Sequence, residues 1–311
     1  MSRLTVLSHL PLGLLENAQR AHPEVNFVEI PGEGELAAEL RGEILLTQTW
    51  GAPNSSHVMQ RGVRWVHTYG TGVNRYPKET LGEAILTCSR GAGAAMISEW
   101  VLAMLLAFEK DLPNRWATAP PERWNIASLG GLRGRSLGLV GLGGIGIAVA
   151  RHALGFGMRV RAVRRSLAPS PVTGVEIAAT LAELVAGSDH LVVVAPATAA
   201  TRHLVGREML AQVRPGLHLV NVARGSLVDQ DALREALDDG RVARASLDVC
   251  EPEPLPEGHW LYQHPRVRLS PHISWSGPGA FDDLIAPFVE NLGRWKRGEE
   301  LLHRVDPEAG Y

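Results

Sequence analysis

The 311-residue sequence predicts an α/β protein built from two doubly wound, parallel-sheet domains. Three observations carry that prediction. Short apolar runs suited to strands alternate with helix-period segments along nearly the whole chain. A strand-turn-helix pattern rich in glycine, GRSLGLVGLGGIG, spans Gly134 to Gly146. The length suits two domains of about 150 residues each.

In the first part, Leu4–Leu7, Val25–Ile30, Ile44–Thr47, Val63–His67 and Ala84–Thr87 continue an alternation of helical and strand-like pieces with Leu14–Ala21 and Leu36–Leu40. That alternation predicts a small α/β unit with a parallel sheet. Tyr69-Gly70-Thr71-Gly72-Val73-Asn74 follows one strand as a glycine-rich loop, which is either a plain turn or a concave anion site lined by backbone N–H groups. The flexible Arg90–Ala95 hexapeptide is a candidate boundary before an apolar helix over Ile97–Lys110, with Ser98 or a neighbour as its cap. Pro113 and Pro120-Pro121 then interrupt the chain and leave Trp116 and Trp124 in an irregular stretch, marking either a subunit contact or internal packing.

In the glycine motif, Ser136–Val140 reads as a strand buried on both faces. Gly141 permits the tight turn, Gly143 admits backbone approach to a pyrophosphate, and Gly146 lets the helix pack close to the strand. Gly144 and Ile145 complete the helix start. Further strands are expected at Met158–Val163, Leu191–Ala195, Leu217–Val222, Ala243–Val249 and Val267–Leu269, with helices at Leu181–Ala186, Arg207–Gln212 and Asp231–Leu237. A last helix, Ala280–Arg297, carries an apolar stripe of Phe281, Leu284, Ile285, Phe288, Val289, Leu292 and Trp295, which predicts packing back on the N-terminal domain.

The formal net charge of −2, with both signs interspersed, points away from nucleic-acid and membrane surfaces and toward small-molecule chemistry. Cys88 and Cys250 lack metal-ligand spacing, so a reducing compartment, no metal and two buried, inert thiols are expected. The N-terminal stretch makes a poor signal peptide and Trp100–Phe108 is too short to span a bilayer, so the expected location is the cytoplasm.

Ligands of open α/β sheets bind beyond the carboxyl ends of the strands. Three segments there end in polar residues: Asn221 to Gly225 with Arg224, Asp248 to Pro254 with Glu253, and Ser270-Pro271-His272. A guanidinium fits a carboxylate, and a carboxylate beside an imidazole favours its protonated form. The set suits polarising a carbonyl and moving a proton.

These segments, LRGRSLGLVGLGGIG, LVNVARGSLVDQDAL, ASLDVCEPEPLP and SPHIS, resemble in the same order the signatures of the D-isomer-specific 2-hydroxyacid dehydrogenase family, and the ISEWVLAMLLAFEK helix fits it too. The resemblance implies two Rossmann-like domains: a flavodoxin-like substrate domain of residues 1–94 and 274–311, and a dinucleotide-binding domain of residues 95–273. It implies Arg224 as anchor of the substrate carboxylate and carbonyl, His272 as acid/base, and Glu253 as its partner. Asp248 is then expected to hold the nicotinamide carboxamide, and Thr71 and Gly72 to offer N–H groups to the substrate carboxylate. Pro196, Val222, Ala223 and Ser274 join the expected cofactor contacts, Trp275 is a candidate pocket wall, and a homodimer is implied.

NAD-preferring members of that family carry an acidic residue after the second strand, whereas here Val163 precedes Arg164-Arg165-Ser166. That trio attracts a 2′-phosphate, each charge-assisted contact contributing roughly 1.5–3 kcal/mol. NADP(H) is therefore the expected cofactor, with NAD(H) possible. The expected reaction is NADPH-dependent reduction of a small 2-ketoacid such as glyoxylate or hydroxypyruvate to the D-2-hydroxyacid. The alternatives are an NAD-linked phosphoglycerate-type dehydrogenase, against which the arginines count, and a non-catalytic, dinucleotide-sensing corepressor-like scaffold. Two departures from the family pattern, Trp275 after the histidine and Asn74 where Asp is frequent, bear on the substrate rather than the reaction.

Overall fold

The computed structural model describes residues 3–166, 168–306 and 309–311. The chain forms two compact units, one of Met1–Gly93 with Gly277–Tyr311 and one of Ala94–Ser276. The first holds a five-stranded sheet of β1 (Thr5–Ser8), β2 (Asn26–Glu29), β3 (Ile44–Gln48), β4 (Trp65–Tyr69) and β5 (Ile85–Cys88). Its order is β2-β1-β3-β4-β5 and every pairing is parallel. Both faces are covered, so period-two alternation sorts side chains between two cores rather than between core and water. Leu7, Leu45 and Val66 enter one cluster, while Val6, Ile44, Leu46 and Trp65 enter the other. The helix Ala280–Arg297 closes the second cluster with Ile285, Phe288 and Leu292, and Phe288 lies 5.5 Å from Trp65 between ring centroids. The segment after it runs antiparallel beside β5, with Val305 N–H donating to Leu86 O at 2.8 Å.

The second unit carries a seven-stranded sheet of β6 (Ser136–Val140), β7 (Arg159–Val163), β8 (Val175–Ile177), β9 (His190–Val193), β10 (Leu217–Asn221), β11 (Val242–Leu247) and β12 (Val267–Leu269). The order β12-β11-β10-β9-β6-β7-β8 reverses direction between β6 and β9. A crevice at such a reversal is where an open α/β sheet takes its ligand. One face is covered by the helices Ala94–Glu109 and Gly144–Gly155 through Val101, Leu105, Val149 and Ala153. The other packs against Leu181–Ala186, Arg207–Leu210 and Gln230–Asp238. At the opposite end of the strands a polar chain is buried in this core. Glu109 Oε1 meets His190 Nε2 at 3.1 Å, His190 Nδ1 meets His218 Nδ1 at 3.2 Å, and His218 Nε2 meets Ser246 Oγ at 2.9 Å.

Several local expectations are corrected. Leu36–Leu40 forms no strand or helix; Leu36 is buried as a single anchor within a loop. The apolar helix starts at Ala94, because Ala94-Ala95-Met96 are strong helix formers. Ser98 therefore lies inside it, and its hydroxyl donates back to Ala95 O at 2.7 Å instead of capping. The short edge strand β8 had no periodic signal. Trp116 and Trp124 are 68% and 72% exposed, which removes internal packing as their explanation. Cys88 is buried as expected, but Cys250 is only partly so.

Candidate functional site

The three motif glycines do three different things. Gly141 has a φ of 109°, and a Cβ there would lie 2.9 Å from Ala195 N. A Cβ on Gly146 would lie 2.5 Å from Gly141 O, so turn and helix meet at a distance that only glycine permits. Among the described residues, a Cβ on Gly143 would meet nothing within 4 Å. Open space thus fronts the helix Gly144–Gly155, whose N-cap Gly143 supplies no side-chain cap. Gly143 and Gly144 are exposed while Ile145 packs on the core, so first-turn N–H groups and the helix dipole face that space. The cradle fits a dinucleotide pyrophosphate on both counts, room and donors.

The neighbouring strand ends complete it. Val140 pairs with Val163, and Gly141 N–H donates to Val163 O at 2.9 Å, so Arg164 begins directly beside the glycine turn. Arg164 is half-buried; Arg165 and Ser166 are exposed, and Ser166 Oγ accepts from Ala168 N–H at 3.1 Å. Beyond β9, Pro196 is exposed and its carbonyl accepts from Thr201 Oγ1 at 2.8 Å.

Past β10, Val222 and Ala223 are buried, and Asn221 folds the turn back on itself. Its Oδ1 accepts from Ala223 N–H at 3.0 Å and its Nδ2 donates to Arg224 O at 2.9 Å. Arg224 is half-buried, with Nη1 donating to Ala223 O at 2.6 Å. Gly225 then presses on the next loop: a Cβ would overlap the Cys250 carbonyl and sit 2.5 Å from Glu251 N.

Past β11, the buried Asp248 gathers the His272 segment. Its Oδ1 accepts from Ser270 Oγ at 2.6 Å and Ile273 N–H at 2.8 Å, and its Oδ2 accepts from the N–H of the buried Ser274 at 2.9 Å. His272 N–H donates to Asp248 O at 2.9 Å, and Trp275 Nε1 donates to His272 O at 3.0 Å. The imidazole Nδ1 lies 3.0 Å from Glu253 Oε2, and Glu253 Oε1 accepts from Cys250 N–H at 3.0 Å.

Burial alone raises the Glu253 carboxyl. It is outweighed by the hydrogen bonds from His272 and Cys250 N–H and by the positive charges of His272 and Arg224, which hold the carboxyl below its ordinary value. A carboxylate only accepts, so Nδ1 carries the proton in this pair. The Cys250 thiol is pushed up to about 11 by burial and by Glu253, so it stays protonated at neutral pH.

Arg224, Asp248, Glu253, His272, Ser274 and Trp275 thus gather at the carboxyl ends of three adjacent strands, β10, β11 and β12. Thr71 and Gly72 belong to the first unit, after β4. Thr71 Oγ1 donates there to Ser89 O at 3.0 Å, beside Gly70 with a φ of 128°. Sequence reasoning passed over Asn221, Gly225, Gln230 and Ser270 as site residues. The one readable signal was Asn221, a polar residue closing a buried apolar strand.

Residues 102–274 match the NAD binding domain of the D-isomer specific 2-hydroxyacid dehydrogenases. The chain is 34% identical over 258 residues to a glyoxylate reductase of Korarchaeum cryptofilum, covering 79% of this chain and 77% of that protein. It is 30% identical over 299 residues to a D-3-phosphoglycerate dehydrogenase of Methanocaldococcus jannaschii, covering 92% of this chain and 56% of that longer relative. A solved D-isomer specific 2-hydroxyacid dehydrogenase from Xanthobacter autotrophicus Py2, in complex with NADPH and MES, superposes with a TM-score of 0.86 at 30% identity over 100% of both chains. The chain belongs to the D-isomer specific 2-hydroxyacid dehydrogenase family and is an NAD(P)-dependent oxidoreductase of that family.

Proposed function

We propose that the protein reduces a small 2-ketoacid of the glyoxylate or hydroxypyruvate kind to the D-2-hydroxyacid with NADPH. The observation that carries this reading is the His272–Glu253 pair at 3.0 Å, with the Arg224 charge acting on the same carboxylate. Arg224 anchors the substrate carboxylate and polarises the keto oxygen, its planar fork matching that geometry. With Nδ1 tied to Glu253, His272 offers Nε2–H to the keto oxygen and delivers the proton as the alkoxide forms. Glu253 stays ionised and fixes the ring orientation. A nicotinamide held here would supply the hydride that the keto carbon takes up. Asp248 and Ser274 are assigned to the ring end of the nucleotide, and the Gly141–Gly146 turn with Pro196, Val222 and Ala223 to its phosphates and body.

The choice of NADPH rests on Arg164-Arg165-Ser166 beside the glycine turn, and the NADPH held by the Xanthobacter relative supports it. The test is a panel of 2-ketoacids assayed in parallel with NADPH and NADH. Arg164→Asp is expected to lower the NADPH-over-NADH ratio of kcat/KM at least about tenfold, the worth of one charge-assisted contact; an unchanged ratio rejects the cofactor assignment.

The likeness to phosphoglycerate dehydrogenases favours a second reading, an NAD-linked enzyme acting on a phosphorylated 2-ketoacid. Preferred turnover of 3-phosphohydroxypyruvate with NADH would establish it. Cofactor binding without turnover of any 2-ketoacid would point to the scaffold. A homodimer is proposed from the exposed Trp116, Trp124, Ile126 and Leu129 on one stretch of chain, and sedimentation of the purified protein checks it.

A further inference from the structure

The loop that carries Glu253 is held by the segment that carries Arg224, largely through one side chain. Gln230 is the first residue of the helix Gln230–Asp238. Its Nε2 donates to Glu251 O at 2.6 Å, and its Oε1 accepts from Glu251 N–H at 3.0 Å. One planar amide thereby engages both backbone groups of Glu251, as a neighbouring strand would. The helix start is itself fixed, because Asp229 accepts from the N–H groups of Asp231 and Ala232 at 3.1 Å. Gly225 lies against the Cys250 carbonyl, so the two segments approach as closely as backbone allows. The Glu251 side chain also pairs with Arg202 at 3.0 Å, but both partners are well exposed and solvent screens the pair.

We propose that Gln230 is a positioning residue for the reaction: by clamping Glu251 it sets the loop so that Glu253 presents one oxygen to His272 Nδ1 and the other to Cys250 N–H. The inference rests on the reductase reading above. Gln230 acts only through Glu253. The side chain has to be an amide, since a carboxylate could accept from the Glu251 N–H but could not donate to its carbonyl. It also has to have this length, since Asn is one methylene shorter.

The experiment measures kcat/KM for glyoxylate and NADPH across about pH 3.5 to 9, a window that contains the carboxylate limb, in wild type, Gln230→Ala and Gln230→Glu. The charged and titratable groups facing Glu253 are His272, Arg224 and the Cys250 thiol. Freeing the loop weakens the first two contacts, so the Glu253 carboxyl rises toward its ordinary value and the acid limb of the profile moves up. At neutral pH kcat/KM is expected to fall about tenfold in Gln230→Ala, with KM for NADPH within about twofold of wild type. Gln230→Glu keeps one contact and is expected to fall between. A purely structural role would lower yield and thermal midpoint without moving the acid limb. An acid limb unmoved in both variants overturns the proposal, and if Gln230→Ala fails to fold, Gln230→Glu decides alone. Wild type inactive on every 2-ketoacid would sink the reductase reading instead. The clamp is then tested without substrate by carbon-13 NMR titration of Glu253, where an unchanged midpoint in Gln230→Glu overturns it.

Discussion

His272 has a φ of 56°, a left-handed conformation that a side chain with a Cβ adopts at a cost of roughly 1–3 kcal/mol. Five hydrogen bonds around it over-determine that conformation, the His272 N–H being shared between Asp248 O and Ser270 O. His272 N–H and O are both engaged, and the next two N–H groups are held by the Asp248 carboxylate. The buried Asp248 thus spends three acceptor positions on the protein itself, whatever it offers a nucleotide. Gly225 is the matching constraint on the other side of the site. Gly225→Ala drives a methyl into the Cys250 carbonyl and must move either Arg224 or Glu253. It is expected to lower kcat at least about a hundredfold, as ångström-scale misplacement does, while dinucleotide affinity holds; retention of near-normal kcat would show that the loops yield freely. Arg224, Glu253 and His272 were legible because charged side chains stood at strand ends. Gln230 and Ser270 were not, because their partners, the Glu251 backbone and the Asp248 carboxylate, are more distant in sequence than any local pattern reaches.

The helix Ala280–Arg297 was legible to the residue even though Pro287 lies inside it. Proline removes one backbone donor, but a buried stripe of Leu284, Ile285, Phe288 and Leu292 outweighs one lost hydrogen bond. Strand β8 and the Leu36 loop were not legible for the opposite reason. Three residues cannot show a period, and one buried leucine mimics the start of one. Phe288 is fully buried and stacked on Trp65, with His67 5.4 Å away. Phe288→Ala is therefore expected to destabilise the first unit by about 3–5 kcal/mol. Hydrogen exchange should show lost protection in β1, β3 and β4 while β6 to β12 keep theirs. A loss under about 1 kcal/mol would mean that this face of the sheet is not sealed by the helix.

At the scale of the whole molecule, each unit keeps a fully buried imidazole. His67 is lowered to about 3, by burial first and then by the charge of His303. His218 is lowered well below its ordinary value, by burial first and then by His190 and Arg244. Folded pKa values below the unfolded ones mean that acidification protonates the unfolded chain and not these groups. Their stabilising contribution is full above about pH 6.5 and declines as pH falls below it. By about pH 5.5 each histidine should cost stability, because the unfolded chain has taken up a proton there that the buried ring has not. Urea midpoints measured from pH 7.5 to 5.5 should fall, and His218→Gln should flatten the part of that fall belonging to the second unit; an unaltered slope would contradict the assignment.

The first unit is assembled from two stretches of chain separated by the whole of the second. As the polypeptide leaves the ribosome, the seven-stranded half is complete before the five-stranded half has received its closing helix. Until Ile285, Phe288 and Leu292 emerge, one side of that earlier sheet, with Val6, Ile44, Leu46 and Trp65, is covered only in part, by Leu10, Leu15 and Ala18. The five-stranded unit, begun before the seven-stranded one, is thus finished after it, and the nascent chain is exposed to aggregation and to chaperone capture in that unit for longest.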